Sequence, residues 1–181
     1  MDAAILCPGP TLARHDPRQW EDAGVVIAVN RAAEDFACDW WAVLDAEVFG
    51  NHLLAPPKTK RPRLLMFDIS FDRLMSPGGE FSHLAGEMRK HQITRTSVLA
   101  TMGPPQSWAT YTACAALVLA AWIGAGRIDV YGADMEGDRD FKGDAGRRRD
   151  CKRWTQEREH WQLITQWLEG RNVRVERRVA A

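Results

Sequence analysis

The sequence predicts an α/β chain, a single domain over residues 1–181 with three layers built around a mostly parallel sheet. Three observations carry this. Residues 3–6 are a short apolar run halted by Cys7-Pro8-Gly9-Pro10-Thr11-Leu12, where Pro-Gly-Pro lets neither strand nor helix continue. A second run, residues 25–29, ends as sharply at Asn30-Arg31. A third, residues 127–131, ends at Gly132-Ala133-Asp134 after the most apolar helical stretch of the chain. Buried strands that alternate with helices and end in polar or Gly-rich turns make parallel sheets. Ligands of such sheets sit outside the carboxyl ends of the strands.

The elements follow in order. Asp16 is placed to cap a short helix with Pro17 in its first position, carrying Trp20 and ending near Gly24. After the strand at 25–29, residues 32–36 suit a short helix, and 38–44 a third strand that delivers Asp45 at its end. Pro56, Pro57 and Pro62 among Lys and Arg mark a surface connection, and 63–67 is a fourth strand. Residues 68–92, with the turn Ser76-Pro77-Gly78-Gly79, are expected to be a mobile excursion over the site. A further strand is expected at 93–99, broken by Met102-Gly103-Pro104-Pro105. Residues 112–124 are rich in Ala and Leu and nearly free of polar side chains, so this helix is buried on most faces and stops at Gly124 or Gly126. Residues 135–152 read as a second mobile segment. Residues 154–168 form an amphipathic helix whose Trp154, Trp161, Ile164, Trp167 and Leu168 share a face, and 173–175 close the sheet.

Composition narrows the function classes. Lys plus Arg and Asp plus Glu are both 24, so no net charge draws the chain to nucleic acid or membrane. The local cluster Arg147, Arg148, Arg149, Lys152 and Arg153 leaves an approach to DNA open as a weaker expectation. Cys7, Cys38, Cys114 and Cys151 have no metal-ligand or redox spacing and read as small apolar residues of a reducing compartment. Asp2 and Pro8 do not fit a signal peptide, and the apolar stretch 113–123 is too short to cross a bilayer. A cytoplasmic protein without membrane insertion is expected.

Several residues fall where chemistry would occur. The Gly9 turn reads either as a tight strand-to-helix corner or as a place where amides near Thr11 meet a phosphate or sugar; it is neither G-x-G-x-x-G nor a Walker A loop. Asn30 and Asp45 each end a β-run, where Asn can read a base or ribose and Asp can hold a hydroxyl or a metal. Asp134, Glu136 and Asp138, spaced by two, suit Mg²⁺ with substrate phosphates or a solvated acidic turn. Ser107, Thr110 and Thr112 stand at the entrance to the buried helix, to cap it or to flank an anion at its amides. His160, three residues after Glu157, is a general base if it faces the crevice and a packing residue if not. Arg153 and the arginines at 147–149 suit a diphosphate leaving group or a solvated face.

A strand ending in Gly9-Pro10-Thr11-Leu12, a strand ending in Asn30, Asp45 after a third, a hydroxyl-bearing entrance to an Ala-rich helix, and Ile128-Asp129-Val130-Tyr131-Gly132-Ala133-Asp134 come in that order. This succession, over residues 3–45 and 107–138, resembles the sialyltransferase-like glycosyltransferases of bacterial surface-glycan synthesis. It also resembles the Rossmann-like domains of motility-associated proteins and of archaeal hydroxymethylpterin pyrophosphokinases. Similar small stand-alone proteins occur in tailed phages and prophages, which would place the chain in the host cytoplasm. The resemblance implies that Gly9, Pro10, Thr11 and Asn30 bind the nucleotide half of a donor, with Thr110 or Thr112 at the helix-entrance hydroxyl position and Asp134 at the strand-end acidic position. The usual Ser-Gly pair is absent at that entrance, and the sialyltransferases carry their histidine base in a segment that also bears tyrosines, whereas this chain has only Tyr111 and Tyr131, so sialyl transfer itself is not supported. What the resemblance supports is therefore a glycosyltransferase-like enzyme that takes a nucleotide or nucleotide sugar, with Asp45 or His160 as base. The alternatives are a Mg²⁺-dependent pyrophosphokinase-like phosphotransferase and a non-catalytic nucleotide-binding phage protein.

Overall fold

The computed structural model describes residues 1–52, 57–143 and 151–180. Among these residues seven parallel strands form one sheet: β1 (Asp2–Leu6), β2 (Val25–Val29), β3 (Trp40–Ala42), β4 (Arg63–Met66), β5 (Ile93–Arg95), β6 (Arg127–Tyr131) and β7 (Arg174–Arg178). Their spatial order is β5-β4-β3-β2-β1-β6-β7. All neighbouring pairs run parallel.

The period-2 alternation of the strands divides the interior into two cores. Ala3, Ile5, Ile27, Val29, Ala42, Ile128 and Val130 face one layer. Ala4, Leu6, Ala28, Trp41, Leu64, Met66 and Tyr131 face the other. Onto the second core pack α1 (Ala32–Asp35), α2 (Ala46–His52), α3 (Asp68–Met75) and α4 (Ala85–Met88), through residues such as Ala33, Phe49, Leu74 and Met88. Onto the first pack α5 (Thr96–Leu99), α6 (Thr112–Trp122) and α7 (Cys151–Glu169). The chain thus winds outward from β1 across one face, then returns beyond β1 and winds across the other. The switch lies between β1 and β6, and this is the expected single α/β domain with a parallel sheet.

Helix α6 has no polar face to turn to water, and eight of its residues are buried. Its end is a Schellman motif: Gly124 has φ +97°, its N–H donates to the Ala121 carbonyl, and the Ala125 N–H donates to the Ala120 carbonyl. No helix among the described residues is long and apolar enough to cross a membrane.

Three local expectations are corrected. Residues 68–92 are not an excursion; they fold into α3, a 3₁₀ turn (Ser82–Leu84) and α4, anchored by the buried Leu74, Leu84 and Met88. The strand expected at 93–99 ends at Arg95, because Asp68 accepts hydrogen bonds from the Ser97 N–H (3.0 Å) and the Thr96 hydroxyl (3.2 Å) and so starts a helix there. That cap comes from 29 residues upstream, where no local pattern reveals it. Residues 50–52, part of the connection expected at 50–63, belong to α2, which brings the fully buried Phe49 against Trp41 at a ring separation of 5.4 Å.

Candidate functional site at the sheet switch point

Strands β1 and β2 end on one side of the switch and β6 on the other, and a cleft opens above them. It is lined by Gly9, Asn30, Thr112, Asp134, Arg153 and Glu157, among others. This is where doubly wound sheets bind ligands, because the diverging connections leave a gap there.

The floor is built from two loops locked together. After β1, the Cys7 N–H donates to the Tyr131 carbonyl at 2.8 Å and the Gly9 N–H to the Gly132 carbonyl at 2.9 Å. The Thr11 N–H donates to Asp134 Oδ2 at 2.8 Å and the Thr11 hydroxyl to Asp134 Oδ1 at 2.6 Å. The Leu12 N–H closes back on the Gly9 carbonyl. The expectation that amides near Thr11 cradle a phosphate is therefore corrected: the donors of this turn are spent inside the protein. Thr11 and Pro10 do not line the cleft. Gly9 is required for a different reason from ligand approach, since a Cβ there would lie 2.2 Å from the Gly132 oxygen. Gly132, at φ +67°, is equally tight against the Cys7 carbonyl and Leu12.

The acidic loop is also different from expectation. Asp134 lines the cleft with both oxygens engaged by Thr11. Glu136 and Asp138 are exposed, and Asp138 approaches Arg139 at 4.0 Å. Among the described residues no group of three His, Cys, Asp or Glu is disposed to hold a metal ion, so Asp134, Glu136 and Asp138 do not assemble as a Mg²⁺ site. Nor do residues 135–143 hang free. The Phe141 N–H reaches the Pro8 carbonyl, Arg31 pairs with Asp140 at 2.8 Å, and Lys142 pairs with Glu34 and Asp35. The remainder of that segment, 144–150, lies outside the described residues, and Arg147, Arg148 and Arg149 with it.

Asn30 occupies the end of β2 with φ 48°, a left-handed conformation that Asn tolerates better than most side chains. Its N–H donates to the Ala42 carbonyl and its carbonyl accepts from Trp41 Nε1, both at 2.9 Å. Its Oδ1 is buried at the cleft without a hydrogen-bond partner. A buried acceptor left open is costly unless a ligand or water completes it.

Opposite stands the N-terminus of α6. Tyr111 occupies the N-cap position without a side-chain cap bond, so the first amides have no intrahelical acceptor. Thr112 and Ala113 bring them to the cleft wall. The third wall is α7. Arg153 packs its guanidinium 5.8 Å from the Tyr111 ring centre and 5.7 Å from that of Trp154, and its Nε lies 3.7 Å from Glu157 Oε2. Trp154 Nε1 donates to the Gly137 carbonyl and Arg158 to the Met135 carbonyl, which fixes α7 to the loop after β6. Glu157 is 8% exposed. Burial pushes the Cys7 thiol well above its ordinary pKa, and the Glu157 carboxylate, with Cys114 and Asp134, adds to it; Cys114 is raised likewise by burial and then by Glu157.

Sequence reasoning passed over Glu157 and Trp154 as site residues. The signal was present: 154, 157, 161, 164 and 168 step by three and four, so Glu157 is a carboxylate in the middle of an apolar stripe.

The two expected bases sit outside the cleft wall, as do Pro10, Thr11 and Thr110. Asp45, beyond β3, is exposed; partial desolvation and Glu47 raise its carboxyl pKa, opposed by Arg153 and Arg73. His160 lies about two helical turns beyond Arg153 on α7. Its Nδ1 is 3.2 Å from the Thr110 hydroxyl, and its ring meets Tyr111 edge-on at 5.3 Å. The Thr110 hydroxyl also contacts the Ser107 carbonyl at 3.3 Å. Thr110 and Ser107 line a separate cavity beside α6.

The enclosed part of the cleft measures ≈ 70 Å³, against roughly 300–1,000 Å³ for pockets that swallow a small molecule. It accepts a compact charged group, with the rest of a ligand lying across the open rim. Comparisons with protein-family models, curated proteins and solved structures give no match to this chain.

Proposed function

We propose that the switch-point cleft binds the phosphate groups of a nucleotide-activated donor, and that the protein is a glycosyltransferase-like enzyme. The carrying observation is the uncapped N-terminus of the eleven-residue helix α6 opening on the cleft beside Arg153. Free amides, the positive end of a helix dipole and a guanidinium together favour a diphosphate. The ≈ 70 Å³ enclosure suits that group rather than a whole nucleotide. Asn30 Oδ1 is a buried acceptor beside that group, open to a donor from the ligand. The resemblance carried by Asn30, Asp45 and Asp134 points to the same ligand class.

In the transfer step the acceptor hydroxyl gives its proton to a base, and its oxygen forms a bond to the transferred carbon. The bond from that carbon to the phosphate oxygen breaks, and its electron pair leaves with the nucleotide, stabilised by Arg153 and the α6 amides. Asp45, with its raised carboxyl pKa, and His160, beside Thr110, are the two candidate bases. The Mg²⁺-dependent phosphotransferase reading has no supporting carboxylate cluster among the described residues.

Thermal melts with nucleoside mono- and diphosphates, with and without Mg²⁺, test the proposal. At 100-fold excess over Kd a site ligand stabilises by about 2.7 kcal/mol, a rise of about 5–10 °C for a chain of this size. Arg153→Ala is expected to weaken binding about tenfold or more. If no nucleotide raises the melting temperature, or Arg153→Ala binds as wild type does, the proposal fails. A rise seen only with Mg²⁺ would favour the phosphotransferase.

A further inference from the structure

On the far side of the α6 entrance, between α3, α5 and α6, lies a second cavity of ≈ 520 Å³. Its volume falls within the range of small-molecule sites. Phe67, Leu99, Pro104 and Val118 give it apolar walls, and Asp68 and Thr110 are among its few polar groups. Among the described residues its lining contains no Lys or Arg. That absence of positive charge separates it chemically from the cleft beside Arg153.

Asp68 is prepared as a fixed acceptor. The Thr96 hydroxyl and the Ser97 N–H both donate to its Oδ1, so Oδ2 remains as the acceptor a bound molecule would meet. Partial desolvation would raise its carboxyl pKa, but the bonds from Ser97 and Thr96 and the charge of Arg95 outweigh that and hold it below the ordinary value. The carboxylate is therefore ionised at neutral pH and repels anions. At the opposite rim Thr110 connects the cavity to His160 through the 3.2 Å contact.

We propose that this cavity binds a small molecule with an apolar ring face and hydroxyl or amino donors, uncharged or cationic, and without a phosphate. Asp68 Oδ2 receives one donor while the ring packs between Phe67 and Val118. That this molecule is the acceptor of group transfer rests on the nucleotide-donor reading; its binding does not.

Methyl NMR of Leu99 and Val118 in the full chain reports occupancy directly. Three aromatic probes are titrated: 4-nitrophenyl β-glucoside, tyramine and 4-nitrophenyl phosphate. The first two are expected to shift the Leu99 and Val118 methyls saturably, with the phosphate at least tenfold weaker at these methyls. Asp68→Asn is expected to weaken tyramine about tenfold and the glucoside less. Ala100→Trp, or Ala109→Phe if the first does not fold, fills the cavity and is expected to abolish both. Absence of methyl shifts in the wild type with both non-anionic probes overturns the proposal, as does phosphate binding of equal strength. A parallel titration with a nucleoside diphosphate reads the cleft alone, so failure there leaves the cavity result standing and refutes only the acceptor role.

Discussion

Replacing Gly9 with Ala tests whether the corner after β1 is a packing device. The new Cβ would stand 2.2 Å from the Gly132 oxygen and 2.4 Å from Asp134 Oδ2, where Cβ atoms essentially never approach within 3.0 Å of another heavy atom. The first obstacle is backbone and the second a carboxylate tied to Thr11, so neither swings aside. The two loops must part, which strains the 2.9 Å Gly9–Gly132 bond and the two Thr11–Asp134 bonds. Overpacking costs about 1–3 kcal/mol. A lost neutral hydrogen bond adds about 1 kcal/mol and a weakened charge-assisted pair about as much again. The sum, about 3–5 kcal/mol, is a large share of the roughly 5–15 kcal/mol that holds a domain folded. The melting temperature of Gly9→Ala is expected to fall by about 10 °C, measured by calorimetry without ligand. Thr11→Val, which removes only the hydroxyl, is expected to cost about 1.5–3 kcal/mol. The double variant should cost less than the sum, because both changes loosen one contact. A fall of less than about 2 °C for Gly9→Ala would refute the reasoning.

Further outcomes follow from individual contacts. Asn30→Gly keeps the left-handed backbone and deletes the open acceptor, so stability should stay within about 0.5 kcal/mol while nucleotide affinity drops; equal affinity in calorimetric titration would remove Asn30 from the site. Trp41→Phe loses the bond to the Asn30 carbonyl and volume against Phe49, and urea unfolding should show a loss of about 2–4 kcal/mol. Side-chain and backbone bonds from Arg18 hold the Asp16 carboxyl down to about 2. Its contribution to stability is therefore full above the ordinary 3.8 and lost as pH falls through about 2. A carboxyl NMR titration should find that midpoint, and Arg18→Gln should return it toward 3.8; a wild-type midpoint near 3.8 would contradict the capping geometry.

The fold was legible where local chemistry decides it. The apolar runs ending at Pro8, Asn30 and Gly132 became β1, β2 and β6, and Asp16 accepts from the Arg18 N–H ahead of Pro17 as a cap should. Reading failed where a distant partner decides. Thr96 joins a helix because Asp68 caps it from another element. The Gly9 turn looked equally apt for a phosphate until the opposing loop, more than a hundred residues away, was seen to consume its donors. Asn30, Thr112 and Arg153 come together as expected at the cleft. Glu157 escaped because a charged residue on an amphipathic helix is ordinarily solvated, and only its place in the apolar stripe says otherwise.

The sheet order also dictates a sequence of events during synthesis. Strand β1 pairs with β2 on one side and with β6 on the other, through Asp2↔Arg127 to Leu6↔Tyr131. The half from β1 to β5 can therefore assemble as the chain emerges, while the other edge of β1 stays open until residue 131 is made. At about 5–20 residues per second that wait lasts several seconds, during which Ala3, Ile5 and Cys7 lack the α6 cover they have in the finished domain. An unpaired apolar edge is a template for pairing with other chains. The same central position that lets β1 carry the floor of the cleft thus leaves it open to misassembly before the domain closes.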